Sequence, residues 1–184
     1  GGNAQIINFP DANFKAKLLQ PGGFYDHYLE QSFVFDANSD GEIEVNEVNF
    51  LLNIDISNAN ISDLTGISNF TSLISLNCSN NVLQNIIIGS TNASLKELVC
   101  TNNLLQSLSV NPAVRLKRLI ASSNQLSTVN VHYDHAFSDI FEWDVVVQLS
   151  YNNITSFACE EDYNWLYLSG NPLTTFDLNG AVIT

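Results

Sequence analysis

The chain contains 184 residues, which suffices for one domain with its own core. Its 19 acidic residues outnumber its six Lys and Arg residues, so the formal net charge is −13. This charge argues against binding to nucleic acids or to anionic membranes, because both need basic surfaces. Apolar residues make up 45% of the chain, too many for a disordered acidic tail, and no apolar run is long enough to span a membrane.

The first 50 residues do not follow the sequence pattern of the rest of the chain, and they predict a helical cap. An amphipathic helix is predicted over about 9–19 and ends at a Pro-Gly-Gly turn. We expect a second helix over about 24–35 and a third over about 45–52. The chain begins with Gly1-Gly2 instead of Met, which is consistent with a secretion signal that has been removed.

A twelve-residue loop between the second and third predicted helices has the spacing of a calcium-binding EF-hand loop. Its sixth position is Gly41, where such a loop turns sharply. The candidate oxygen donors are, in loop order, Asp36, Asn38, Asp40, the carbonyl of Glu42, Glu44 and Glu47. Five of the 19 acidic residues fall in this loop, and such crowding is unfavourable without a divalent cation. We predict one structural calcium ion; the alternative is a metal-free acidic turn.

Residues 51–184 carry a sequence repeat, mostly 21 or 22 residues long, with Leu, Ile, Val, Phe or Cys at fixed positions around an asparagine. The anchoring asparagines are Asn81, Asn103, Asn124, Asn152 and Asn171. An earlier copy has Ala59 in place of the asparagine. The pattern is that of a leucine-rich repeat. It predicts an α/β solenoid of about six turns with a parallel sheet on its concave side.

The repeat pattern also assigns roles to the asparagines and cysteines. Each asparagine stands where a strand ends, and its amide is expected to bond backbone groups that the bend leaves unpaired. Cys78 and Cys100 occupy the same inward position of adjacent turns, and Cys159 occupies another inward position. We predict three free buried thiols; the alternative is a Cys78–Cys100 disulfide. The total of 25 asparagines also indicates a chain that turns often.

Four segments together resemble bacterial surface leucine-rich repeat proteins with internalin-type repeats and an EF-hand-like helical cap. They are the opening 8–14, the calcium-type loop, the stretch 61–67 and the repeat around 76–81. The resemblance covers nearly the whole chain and implies a secreted or surface-attached, non-enzymatic binding domain. The chain departs from the family in a longer stretch at 21–31 and in an Asn124-to-Asn152 spacing of 28 residues.

Leucine-rich repeats usually bind partners with their concave strands, so the outward positions of those strands are candidate contacts. Apolar and aromatic residues beside an arginine dominate these positions in the C-terminal half. We predict a face for a protein or glycan partner formed by Val99, Arg118, Ile120, Val146, Trp165 and Tyr167. Four of the six basic residues lie between 96 and 118, so this face is expected to be locally neutral or basic. The alternative is a structural spacer whose C-terminal half is covered by further repeats.

An insertion at about 132–144 interrupts the repeats. Such insertions usually extend the binding surface of a solenoid. Its His132, Asp134 and His135 offer the alternative of a metal-dependent enzyme. The sequence contains no GxSxG, P-loop or HExxH motif, so we predict a monomeric binding protein without catalytic residues.

Overall fold

The computed structural model describes residues 5–21, 24–134, 145–158 and 163–177. The α-helices within these ranges are α1 (Ala12–Leu18) and α2 (Val45–Val48), and two short 3₁₀ helices span Ile67–Asn69 and Ser90–Asn92. The strands are β1 (Phe24–Asp26), β2 (Gln31–Phe33), β3 (Asn53–Asp55), β4 (Ser75–Asn77), β5 (Asn85–Ile88), β6 (Glu97–Val99), β7 (Ser107–Val110), β8 (Arg118–Ile120), β9 (Val146–Gln148), β10 (Ser156–Ala158), β11 (Trp165–Tyr167) and β12 (Thr175–Asp177). Leu178 of the last predicted repeat lies outside the described residues.

Six of these strands form one parallel sheet, in the order β3-β4-β6-β8-β9-β11. Each strand pairs with the next turn in the register that the repeat alignment predicts; Ile54, for example, is opposite Leu76, and Leu76 is opposite Leu98. Five complete turns lie between the six strands. The opposite side carries two parallel sheets of two strands each, β5-β7 and β10-β12. The predicted leucine-rich repeat solenoid is therefore confirmed.

The core follows from the alternation of side chains along each strand. The central residues of the first five concave strands have no exposed surface, and Leu166 at the centre of β11 is half-buried. The central residues without exposed surface are Ile54, Leu76, Leu98, Leu119 and Val147. Because no turn can bury these residues alone, adjacent turns share one continuous core.

The anchoring asparagines link each turn to the one before it. The Oδ1 atom of Asn103 accepts from the backbone N–H of Leu83 at 3.1 Å. Its Nδ2 atom donates to the carbonyls of Cys78 and Cys100, both at 3.1 Å. The Cys100 carbonyl also accepts from Asn124, at 3.0 Å. Since the same pattern continues to Asn171, the asparagines and carbonyls form an unbroken ladder through the solenoid.

The residue before each anchor has a left-handed backbone, with φ between 55° and 70°. These residues are Asn58, Asn80, Asn102, Ser123, Tyr151 and Gly170. Asparagine and glycine tolerate this conformation best. The Asn-Asn pairs of the sequence thus combine a left-handed turn residue with a ladder residue.

The cap differs from its prediction between residues 24 and 35. The predicted second helix is wrong, because this segment forms an antiparallel hairpin of β1 and β2. Asp26 begins the turn by accepting hydrogen bonds from the N–H groups of Tyr28 and Leu29, at 2.9 and 3.1 Å. The same pattern caps α1 at Asp11, so the pairing of β1 with β2 and not these bonds excludes a helix here. The third predicted helix is shorter than expected, since α2 spans only Val45–Val48.

Asp26 also closes the first edge of the concave sheet. Elsewhere in the sheet, pairs of N–H groups at the start of a strand donate to one carbonyl of the preceding turn; Ile74 and Ser75, for example, donate to Leu52. The first strand has no preceding turn, and the second carboxylate oxygen of Asp26 accepts from Leu52 and Asn53 instead, at 2.8 and 3.0 Å. Asp26 is fully buried, so its carboxylate replaces the missing carbonyl of a preceding turn.

A second aspartate joins helix α1 to the first turn. One oxygen of Asp11 caps α1 by accepting from the N–H groups of Asn13 and Phe14. The other oxygen accepts from the Ser62 N–H and hydroxyl and from the Asp63 N–H. Burial raises the pKa of Asp11, but these hydrogen bonds outweigh burial and hold the pKa below its ordinary value. The cap is therefore held on the solenoid by buried carboxylates as well as by apolar packing.

Cys78 and Cys100 are free, buried thiols, as the repeat pattern predicts. Burial raises the pKa of Cys100 to about 12. Burial also raises the pKa of Cys78 well above its ordinary value, and the charge of the neighbouring Cys100 adds to this effect. Cys159 lies outside the described residues.

Replacing Asn103 by Ala should lower the free energy of unfolding by about 2 kcal/mol. The buried Leu83 N–H loses its acceptor, whereas the carbonyls of Cys78 and Cys100 each keep a second asparagine donor. Urea unfolding monitored by circular dichroism measures the change. The exposed Asn85, replaced by Ala, serves as the control and should change stability by less than 0.5 kcal/mol or so. Equal effects of the two substitutions would contradict a stabilising ladder.

Neither Cys78 nor Cys100 should react with iodoacetamide in the folded protein at pH 8. The thiolate is the reactive species, and burial disfavours it at both positions. Peptide mass mapping after timed labelling measures each cysteine separately. Both should be labelled fully in urea, and rapid labelling of either one without denaturant would refute the buried placement.

Candidate functional site

The calcium-type loop is closed by its own side chains. Asp36 accepts hydrogen bonds from the N–H groups of Asp40 and Gly41, at 3.0 and 2.9 Å. Asn38 Oδ1 accepts from the Asp40 N–H at 2.9 Å, and Asp40 accepts from the Glu42 N–H at 2.9 Å. Gly41 has a φ of +82°, the left-handed conformation that the sixth position requires. The side chains at positions 1, 3 and 5 thus lie on the inner side of one tight turn.

Glu44 and Glu47 stand together at the end of the loop. Glu47 accepts from the Ala37 N–H at 2.7 Å and from the Glu44 N–H at 2.9 Å, so it joins the two ends of the loop. The pKa of Glu44 is raised, first by its contact with the Glu47 carboxylate and then by burial and the charges of Glu47 and Asp40. Negative charge at this point is therefore not fully compensated by the protein.

The second half of the loop is held from the N-terminal segment. The Ile7 N–H donates to the Ile43 carbonyl at 2.8 Å, and the Val45 N–H donates to the Gln5 carbonyl at 2.9 Å. Ile43 itself is fully buried. Lys15 of α1 forms an ion pair with Glu42 at 2.8 Å, and both side chains are partly exposed. The Glu42 side chain is thus engaged from α1, whereas its role in the predicted site uses the backbone carbonyl.

The donor set consists of oxygen atoms alone, which suits calcium and disfavours zinc or copper. Among the residues that the structure describes, however, no three His, Cys, Asp or Glu side chains converge closely enough to form a metal-holding group. The loop has the composition and turn of a calcium site, and calcium binding remains a prediction.

The predicted partner face lies where the register of the concave sheet places it. Arg118, Val146 and Trp165 are neighbours in one row across the strands. Val99, Ile120 and Tyr167 belong to a second row, in which Gln148 separates Ile120 from Tyr167. Trp165 and Tyr167 are 52% and 44% exposed, and the other four are partly exposed. The structure thus brings the six predicted residues to one face.

Two of the four basic residues near this face are paired with acidic side chains. Lys96 pairs with Asp134 at 2.8 Å, and Arg118 Nε lies 3.4 Å from Glu97 Oε1. Lys117 is only 4% exposed. Arg115 donates to the Tyr133 carbonyl at 3.4 Å. The face is therefore less basic than the number of its basic residues suggests.

The tip of the cap hairpin contributes a residue that the sequence reasoning did not assign. The pKa of Tyr28 is raised to about 12. Burial of the side chain is the largest cause, the charges of Glu97 and Asp26 add to it, and the charge of Arg118 opposes it. Tyr28 therefore lies within electrostatic reach of the Glu97–Arg118 pair on the concave sheet. The unusual length of the 21–31 stretch was the only signal for this arrangement in the sequence.

Little of the proposed insertion at 132–144 can be placed, because His135 and the rest of residues 135–144 lie outside the described residues. His132 lines a cavity of about 350 Å³ together with Tyr133, Phe157 and Tyr163. A carboxylate oxygen of Asp134 is engaged by Lys96. His132 and Asp134, the two described residues of the alternative metal site, thus have different surroundings. The acidic stretch 160–162 is also outside the described residues.

No helix of the described part of the chain is long and apolar enough to cross a membrane.

Comparison with known proteins supports the fold. No family model and no curated protein sequence matches the chain. Among solved structures, the functional domain of InlJ from Listeria monocytogenes, described as including a cysteine ladder, matches with a TM-score of 0.52 and 21% identity. The match covers 95% of this chain and 52% of that one, so this chain spans about half the length of the InlJ structure. This chain therefore shares the leucine-rich repeat solenoid fold of an internalin-type protein.

Proposed function

We propose that the protein is a secreted or cell-surface binding module that recognises a protein or glycan partner through its concave face. The observation that carries this proposal is the exposure of Trp165 and Tyr167 beside Val146 and Ile120 on the open side of the sheet. Exposed aromatic side chains on a rigid sheet are typical of interaction sites. The fold shared with InlJ agrees with a binding role and with a surface location.

Replacing Trp165, Tyr167 and Arg118 by Ala should weaken partner binding at least tenfold, because aromatic and arginine side chains contribute most of the binding energy at interfaces. The measurement is a screen of extracellular proteins and glycans on an array, followed by titration of each partner found. Replacing Ile87 by Ala is the control, because this side chain is 69% exposed on the opposite side of the solenoid. Unchanged binding by the triple variant would refute the assignment of this face.

We also propose that the cap loop binds one structural calcium ion. Asp36, Asn38, Asp40, the Glu42 carbonyl, Glu44 and Glu47 would hold it. The ion would offset the repulsion between the adjacent carboxylates of Glu44 and Glu47, which the protein leaves in contact. Glu47 is the third residue of α2, which ends at the buried Val48 and leads into β3, so order in the loop supports the first turn of the solenoid.

Adding 2 mM calcium to metal-stripped protein should raise the free energy of unfolding by about 1–2 kcal/mol, since extracellular calcium modules bind at roughly 0.1–1 mM. Calorimetry measures the corresponding rise in melting temperature. Glu47→Gln and Asp36→Asn should abolish the response, whereas Asp63→Asn, outside the loop, should keep it. The response to calcium is compared within each variant, because Glu47 also stabilises the loop without metal. A wild-type melting temperature unaffected by calcium would reject the site.

A further inference from the structure

The C-terminal part of the concave face has an unusual aromatic residue where β9 ends. Tyr151 has a φ of 58°, the left-handed conformation that asparagine, serine or glycine adopts at the equivalent position of every other turn. For a bulky residue this conformation costs about 1 kcal/mol or more. Tyr151 is also 65% exposed, so burial of its ring does not offset the cost.

The next turn is adapted to this tyrosine. A Cβ atom added to Gly170 would lie 2.4 Å from Tyr151 Cδ1, so only glycine fits beside the ring. The Tyr151 N–H donates to the Ser169 carbonyl at 2.7 Å, and the hydroxyls of Ser169 and Ser150 are hydrogen-bonded at 3.0 Å. One side of the Tyr151 ring thus lies against the Gly170 backbone of the neighbouring turn. Strain of this kind is concentrated at functional sites.

The described residues around Tyr151 carry little charge. The described stretches 145–158 and 163–177 contain one charged residue, Asp177 at the end of β12. Tyr151, Trp165 and Tyr167 supply aromatic faces, and Gln148 and Ser169 supply amide and hydroxyl groups beside them. Among the described residues of the concave strands, the nearest charged one is Arg118, one strand beyond β9, and it is close to Glu97.

The absence of charge and the aromatic side chains of this patch indicate the chemical class of its partner. A protein surface that met a domain of charge −13 would gain affinity and association rate from complementary charges, and this patch offers none. An uncharged sugar chain presents C–H faces to aromatic rings and hydroxyls to amide and hydroxyl groups. Aromatic walls with a few polar groups are the usual composition of sites for small uncharged molecules. Rigid aromatic side chains bind at low entropic cost, which matters most for a weak ligand.

We propose that Tyr151 is a ligand-contact residue, retained at a cost in stability, and that it forms with Trp165 and Tyr167 a platform for an uncharged carbohydrate chain. This inference rests on the binding role proposed above for the concave face and names the chemical class of its partner.

The stability part of the proposal is tested first. Tyr151→Asn places at this position the residue type found at the equivalent positions Asn80 and Asn102. It should raise the melting temperature by about 2 °C or more, because asparagine adopts the left-handed backbone with less strain. Tyr25→Asn is the matched control, since Tyr25 is 47% exposed but has no left-handed backbone, and it should produce no rise. Gly170→Ala should destabilise the wild type more than it destabilises the Tyr151→Asn variant.

The binding part uses uncharged hexasaccharides of glucose, mannose, galactose and N-acetylglucosamine, titrated to 10 mM or so and followed by isothermal titration calorimetry. At least one should bind, with an affinity that does not change between 50 and 500 mM salt. Tyr151→Asn and Trp165→Ala should each weaken it at least tenfold, while Tyr25→Asn leaves it unchanged.

Two results would overturn the proposal. One is that none of the sugars binds; the other is that binding persists in Tyr151→Asn. A protein partner lost on substitution of Trp165, Tyr167 and Arg118, with no sugar bound, would overturn the carbohydrate assignment and leave the proposed binding role of the face intact.

Discussion

The amide of one asparagine per turn determines how the turns of this protein stack. Each amide accepts from a backbone N–H of the preceding turn and donates to carbonyls of both turns, so the Cys78 and Cys100 carbonyls, three residues before their anchors, each receive two asparagine donors. These groups are buried, and burial makes an unpaired amide or carbonyl expensive. Each asparagine must therefore reach the backbone groups of the preceding turn, which constrains the length of the repeat. The register of the concave sheet follows from that length.

The two proposed sites depend on this frame in different ways. The concave face uses the regularity of the sheet, which places one outward side chain from every turn in a row. The calcium loop lies outside the repeats and is joined to them through α2 and the buried residues after it. A rigid frame is compatible with a binding face that gives up some stability at Tyr151, because the ladder residue Asn152 next to it still has all its partners.

The repeat, the parallel sheet and the buried cysteines were predictable from the sequence, because apolar alternation and the asparagine spacing are local signals. The hairpin was not. Its aromatic residues fit a helix equally well, and the contacts that decide the matter join Asp26 to Leu52 and Asn53, 26 and 27 residues away. The Lys96–Asp134 pair, 38 residues apart, likewise left no trace in the local sequence, so the sequence did not decide between a neutral and a basic face. The loop composition predicts calcium, but composition alone does not bring three carboxylates together.

The buried carboxylate of Asp26 has a consequence for association between molecules. A parallel sheet that ends in free N–H groups offers a template on which the strand of another molecule can add. Asp26 occupies two of those donors at the β3 edge and brings a negative charge to the position where an incoming carbonyl would have to lie. The cap thus does more than cover apolar side chains, because it also makes this edge of the sheet unsuitable for edge-to-edge aggregation.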